Sequence, residues 1–238
     1  ITTNDIRYYL AMYQEQRKIS MSYMDTIRRY LSSFFAWISD EGYISRNPMR
    51  RLKKIKVPRM IKKPFTQAEM EHLRCNAECQ RDIAIMAFLY STAARIGEVV
   101  RLNRKDINWA NKEVIIYGEK GKKERRVYLT DDCAYHLHKY LLSRDDTNPA
   151  LFVSNKRPHT RLGKQAIQSM LRTLGQKTEI HAHPHKFRRT LCTQLIKRGM
   201  PLQDVAILLG HADINMTAGT YYDASDDMIE YEYIRYAA

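Results

Sequence analysis

A small set of separated polar positions carries the chemistry of this chain: Arg95, Lys120, His185 three residues before Arg188, Leu208-Leu-Gly210-His211, and Tyr221 ten residues further on. Each type has a role in breaking a phosphodiester without metal. Guanidiniums grip non-bridging phosphate oxygens, a tyrosine oxygen attacks phosphorus, and a lysine or histidine protonates the departing sugar oxygen. A free tyrosine titrates near about 10, so it needs cationic neighbours to stabilise the developing phenolate. The chemistry calls for no metal, nucleotide or other cofactor.

The elements that must position these residues follow from periodicity. Apolar residues recur at helical spacing from Thr3 to about Arg17 (Ile6, Leu10, Tyr13) and from Ser22 to about Ile38 (Tyr23, Ile27, Leu31, Phe34, Phe35). This small helical unit runs into residues 46–63, eighteen positions with nine cations and no acid, punctuated by prolines at 48, 58 and 64. We expect a helical domain over 1–58 and a basic linker over about 46–64, extended as a strap along DNA. Its contacts would come from Arg50, Arg51, Lys53, Lys54, Lys56, Arg59, Lys62 and Lys63. A solvated charged loop is the plain alternative.

A larger domain is expected over 65–238. Thr66-Gln-Ala-Glu69 reads as a capping box, and Asp82 to Ala94 as a buried helix that delivers Arg95, with Glu98 one turn later to orient it. Glu113–Tyr117 and Arg125–Leu129 read as strands around a Gly- and Lys-rich turn that presents Lys120, with Lys122 and Lys123 beside it as further DNA contacts. Helices are then expected at about 131–143, 164–175, 185–198, 202–209 and 225–236. His185 opens one of them after Pro184, placing it on one face with Arg188 near an anion-favouring N-terminus. His181 and His183 read as loop residues. Gly210 ends another helix and leaves His211 in the turn.

Composition agrees with a polyanion partner. Forty Lys and Arg against 26 acids give a net charge of +14 and a pI near 9.6. Acidic protein or an anionic membrane surface would also suit that charge. No apolar run approaches the roughly 20 residues of a membrane span. Cys75, Cys79, Cys133 and Cys192 are scattered and there is no secretory segment, which suggests idle reduced thiols in a cytoplasmic, nucleoid-associated protein. The chain begins at Ile1 rather than Met, leaving room for a preceding segment.

In this order, Ala94-Arg95-Ile-x-Glu98, Lys120-Gly-x-Lys-x-Arg125, His185-x-x-Arg188-x-Thr190, Leu-Gly-His211 and the following tyrosine resemble the tyrosine recombinase, or phage integrase, family. The resemblance runs from about residue 3 to the end. It implies a mainly α fold with a small β-hairpin or sheet, a small helical core-binding (SAM-like) domain and a catalytic domain. It also implies roles: Arg95 and Arg188 bind the scissile phosphate, and Lys120 is general acid on the 5′-oxygen. His185 and His211 assist proton transfer and phosphate binding, Glu98 supports the first arginine, and Tyr221 becomes a 3′-phosphotyrosyl ester. Two departures stand out: Thr92-Ala-Ala-Arg95 where many members have Thr-Gly-Leu-Arg, and Arg189 where many have a second histidine. Glu119 shifts the lysine spacing by one, and Tyr222 is a rival nucleophile.

The function expected is site-specific recombination of double-stranded DNA at an inverted-repeat core site, as the integrase of a phage or conjugative element acting as a tetramer. A Xer-like resolvase and a type IB topoisomerase share the chemistry, and a non-catalytic DNA binder would share the fold. No small-molecule substrate is implied. The last sixteen residues, Asp223 to Ala238, hold five acids and one arginine. They read as a docking helix that packs either on a neighbouring subunit, as in relatives, or on its own domain.

Overall fold

The computed structural model describes residues 1–57, 63–118 and 124–210. The chain divides into two compact units, Ile1–Met60 and Ile61–Ala238.

In the first unit, helix α1 (Thr3–Arg17) starts at a capping box made by Thr2 and Asp5, and helix α2 (Met21–Asp40) starts where the Ser20 hydroxyl accepts from the Tyr23 amide. Ile6, Leu10, Met24 and Phe35 bury their side chains between the helices together with Met49. That last residue corrects the expectation of an extended strap from residue 46. Pro48–Arg51 form a 3-10 turn, capped by Asn47 and opened by proline, with Pro48 and Met49 buried. Leu52 and Ile55 pack on the same cluster. The reason is spacing: Met49, Leu52 and Ile55 recur every third residue and face inward, while the cations between them point to water. The Thr3 hydroxyl ties the turn down by donating to the Pro48 carbonyl at 2.6 Å.

The second unit begins at the capping box of Thr66 and Glu69, which opens α3 (Gln67–Cys75). Helix α4 (Gln80–Thr92) starts two residues before the expected Asp82, and its run of Ala84, Ile85, Met86, Phe88 and Leu89 is buried. It packs against α6 (Asp131–Leu142) and α8 (Pro184–Lys197). Phe88 meets Phe152 edge-on at 5.9 Å within the main core, where truncating such a ring costs about 3–5 kcal/mol. Helices α5 (Ile96–Val99), α7 (Lys164–Thr178) and α9 (Leu202–Leu209) complete the described helices.

An antiparallel sheet of order β1-β2-β3 lies among them. Strand β1 (Ile107–Asn108) carries no periodic signal and was not expected from the sequence. Strand β2 (Glu113–Tyr117) has the expected bounds, and β3 (Glu124–Tyr128) begins one residue earlier than expected. Val114 and Ile116 face the core opposite Val127 and Arg125. The expected helix at 225–236 lies outside the described residues. Among the described residues, no helix is long and apolar enough to cross a membrane.

Candidate active site

The site is assembled where α4 breaks. After Thr92 the chain enters the left-handed region at Ala93, with φ 48° and ψ 26°, and turns Arg95 into the N-cap of α5. The turn is internally bonded: Thr92 Oγ1 donates to the Phe88 carbonyl at 2.7 Å and accepts from the Ala94 amide at 3.2 Å. Glu98 reaches back to accept the Arg95 amide at 2.7 Å, and its side chain is fully buried.

Two guanidiniums share that carboxylate. Arg95 Nη1 approaches it at 3.3 Å, whereas Arg125 of β3 holds both oxygens, at 2.8 and 2.6 Å. Burial pushes the Glu98 carboxyl up, but the hydrogen bonds and charges of Arg125 and Arg95 outweigh it, and its pKa lies below the ordinary value. A buried carboxylate needs such partners to stay ionised.

The far ends of the arginines meet the C-terminus of α9. Arg95 Nη2 donates to the Gly210 carbonyl at 3.2 Å and Arg125 Nε to the Leu208 carbonyl at 3.0 Å. Arg188, on α8, donates to the Ala93 carbonyl at 2.6 Å and to the Leu209 carbonyl. These carbonyls are the unpaired acceptors that every helix end leaves. Burial, then Arg95 and Arg125, lower the Arg188 pKa to about 10, so it still carries its proton near neutrality. Arg95 is the more open of the two expected phosphate ligands, with its side chain 30% exposed.

His185 is exposed in the first turn of α8, three residues before Arg188. A buried anchor ties α8 to the segment that leads into α3: Thr190 Oγ1 accepts from the Phe65 amide at 2.9 Å, and the Phe65 ring packs on Phe187 at 4.8 Å. Arg189, in place of the family's second histidine, donates to the Lys63 carbonyl at 3.2 Å. His183 caps α8 by position, and burial followed by its cationic neighbours lowers its pKa to about 4.

The structure therefore brings Arg95, Glu98 and Arg188 together, with His185 on the helix that carries Arg188. Lys120, Lys122, Lys123, His211, Tyr221 and its rival Tyr222 lie outside the described residues, as do Arg59 and Lys62. Arg50, Arg51, Lys53, Lys54 and Lys56 are exposed in the first unit, and Lys63 is exposed in the second. Cys133 and Cys192 are buried, Cys75 is exposed, and among the described residues no three His, Cys, Asp or Glu side chains cluster to hold a metal ion.

Sequence reasoning named Arg125 only as part of a motif and gave it no role. A signal was present: strand alternation turns Arg125 to the side of Val127 and Ile116, and an arginine on a core-facing position requires a carboxylate.

The model of the phage integrase family matches residues 50–228. The tyrosine recombinase XerA of Pyrococcus horikoshii is 27% identical over 217 residues, covering 91% of this chain and 74% of its own length. XerC of Herpetosiphon aurantiacus is 28% identical over 248 residues, covering 98% and 79%. The crystal structure of XerA recombinase superimposes with a TM-score of 0.67 at 26% identity, over 100% of this chain and 84% of that one. The integrase of transposon Tn1549, solved in complex with transposon right end DNA, reaches 0.81 at 20% identity over 100% and 86%, a likeness of fold. With the family matched over most of its length, the chain belongs to the phage integrase family and is a tyrosine recombinase, an enzyme of site-specific DNA recombination.

Proposed function

We propose that this recombinase cuts each strand of its site with Tyr221. The Tyr221 oxygen attacks the scissile phosphorus and the P–O5′ bond breaks. The phenolic proton is lost through the His185 and His211 pair, and Lys120 gives a proton to the leaving 5′-oxygen. Arg95 and Arg188 hold the non-bridging oxygens and offset the charge of the phosphorane. The 3′-phosphotyrosyl ester keeps the energy of the diester, so a 5′-hydroxyl of a second strand can attack it and restore DNA. Tyr221 is preferred to Tyr222 because it stands at the position of the family's motif tyrosine.

One observation carries the reading: Arg95 and Arg188, distant in sequence, both bond carbonyls at the end of α9, immediately before His211. We assign residues 1–58 to core binding and 65–238 to catalysis, with the substrate an inverted-repeat duplex site and the working form a tetramer on DNA. The role as integrase of a mobile element is the first reading, taken from the motif set and the basic segment ahead of the catalytic domain; the transposon integrase shares the fold alone. A Xer-like resolving role is the second reading, supported by the XerA and XerC relatives.

The test is to incubate the protein with a nicked genomic DNA library, denature it, and sequence the DNA that stays covalently attached, with Tyr221→Phe in parallel. A short inverted repeat recovered by the wild type alone is expected, and its place at an element's end or at a chromosomal site separates the two roles. Adducts persisting in Tyr221→Phe would overturn the nucleophile. Adducts without sequence preference would point to a topoisomerase.

A further inference from the structure

We propose that Arg125 is a positioning residue for strand cleavage, holding the Glu98 carboxylate so that Arg95 remains a net cation for the scissile phosphate. The proposal rests on the Tyr221 reading above and concerns how its phosphate ligands are kept charged and in place.

Two guanidiniums, those of Arg95 and Arg125, share one buried carboxylate, while Arg188 bonds the Ala93 and Leu209 carbonyls. How that negative charge is shared decides which arginine is left for substrate. The distances are unequal: Arg125 takes both Glu98 oxygens at 2.8 and 2.6 Å, while Arg95 has a single contact at 3.3 Å. A bidentate guanidinium pair neutralises a carboxylate far more completely than one long contact. Arg125 is itself poorly placed to touch DNA, with its side chain only 10% exposed and its remaining nitrogen, Nε, spent on the Leu208 carbonyl. Arg95, three times as exposed, is the one that faces outward.

The same side chain fixes position as well as charge. It sits on β3, five residues after Lys120, and bonds the end of α9, three residues before His211. A Cβ built on Gly210 would lie 3.0 Å from the Arg125 Cδ, so the turn that leads to His211 is packed directly on this guanidinium. Arg125 thus joins the segment bearing the lysine, the acid behind Arg95 and the turn before the histidine. Without it, Glu98 would stay buried with Arg95 as its nearest guanidinium and draw that side chain inward.

The experiment compares wild type, Tyr221→Phe, Arg125→Met, Arg125→Lys and the double variant Arg125→Met/Glu98→Gln. The rate of covalent adduct formation is read on saturating nicked DNA carrying the recovered site, below each variant's melting temperature. Arg125→Met is expected to slow adduct formation about 100-fold with DNA affinity changed by less than about threefold. Arg125→Lys, which keeps the charge but not the paired geometry, should return to within about tenfold of wild type, and removing Glu98's charge should recover about tenfold of the loss in the double variant. A purely structural arginine would not be replaced by lysine at full DNA occupancy. Should Arg125→Met fail to fold, Arg125→Gln takes its place in the same comparison. An unchanged rate in the neutral variant, or a double variant no faster than it, overturns the proposal. No adduct from wild type overturns the Tyr221 reading itself, and with it this proposal.

Discussion

Glu98 is the residue on which the charges of the site balance. Its folded pKa lies below its ordinary 4.5, burial opposing and the arginines prevailing. A depressed carboxylate adds stability above its unfolded pKa and loses it as pH falls through the folded value. The difference in urea unfolding energy between wild type and Glu98→Gln should therefore shrink as pH is lowered from about 7 to about 3. A difference that does not vary with pH would show that Glu98 is not ionised against these partners. Arg188 is held to two carbonyls by separate nitrogens of its planar group, a geometry an ammonium cannot reproduce. Arg188→Lys should reduce the single-turnover cleavage rate by about 100- to 1,000-fold. Arg95 and Arg188 were legible as cations in a motif. The bond between Glu98 and Arg125 was not, because it joins residues on α5 and β3 that only the folded sheet brings together.

Among the elements, the break after α4 is the most demanding. Ala93 is fully buried and sits at a φ of 48°, a region that glycine enters freely and that strains a residue with a Cβ. The sequence showed alanine where many relatives have glycine, but not that the position is left-handed. Ala93→Gly should change stability by no more than about 1 kcal/mol, relief of strain offsetting the entropy gained by the unfolded chain. Ala93→Val, β-branched in the same conformation, should cost about 1–3 kcal/mol. Thermal or urea unfolding of the two variants checks both signs. Elements with strictly local signals were well read: the Thr66 and Glu69 box opens α3, and alternation bounds β2. Strand β1 has only two residues and forms because β2 is there to pair with it, so nothing local announces it. The 46–55 segment misled for the opposite reason, since its cations masked a three-residue apolar repeat that folds onto α1 and α2.

For the whole molecule, the +14 net charge sets how binding responds to salt. Exposed cations release counterions when they meet phosphate, each contact steepening the salt dependence by about 0.9. Replacing Lys53, Lys54 and Lys56 together by alanine should flatten the slope of log affinity against log salt by up to about 3. The cleavage rate at saturating DNA should be unchanged, because these side chains lie in the first unit and the arginine cluster in the second. A slope that stays the same would remove this segment from the DNA interface. Cleavage through a phosphodiester to Tyr221 leaves a nucleotide on that side chain, which is located by digesting the denatured protein–DNA adduct with protease and nuclease and sequencing the nucleotide-bearing peptide by mass spectrometry. The nucleotide is expected on Tyr221, linked through its 3′-phosphate; a nucleotide on Tyr222 or on any other residue would overturn this mechanism.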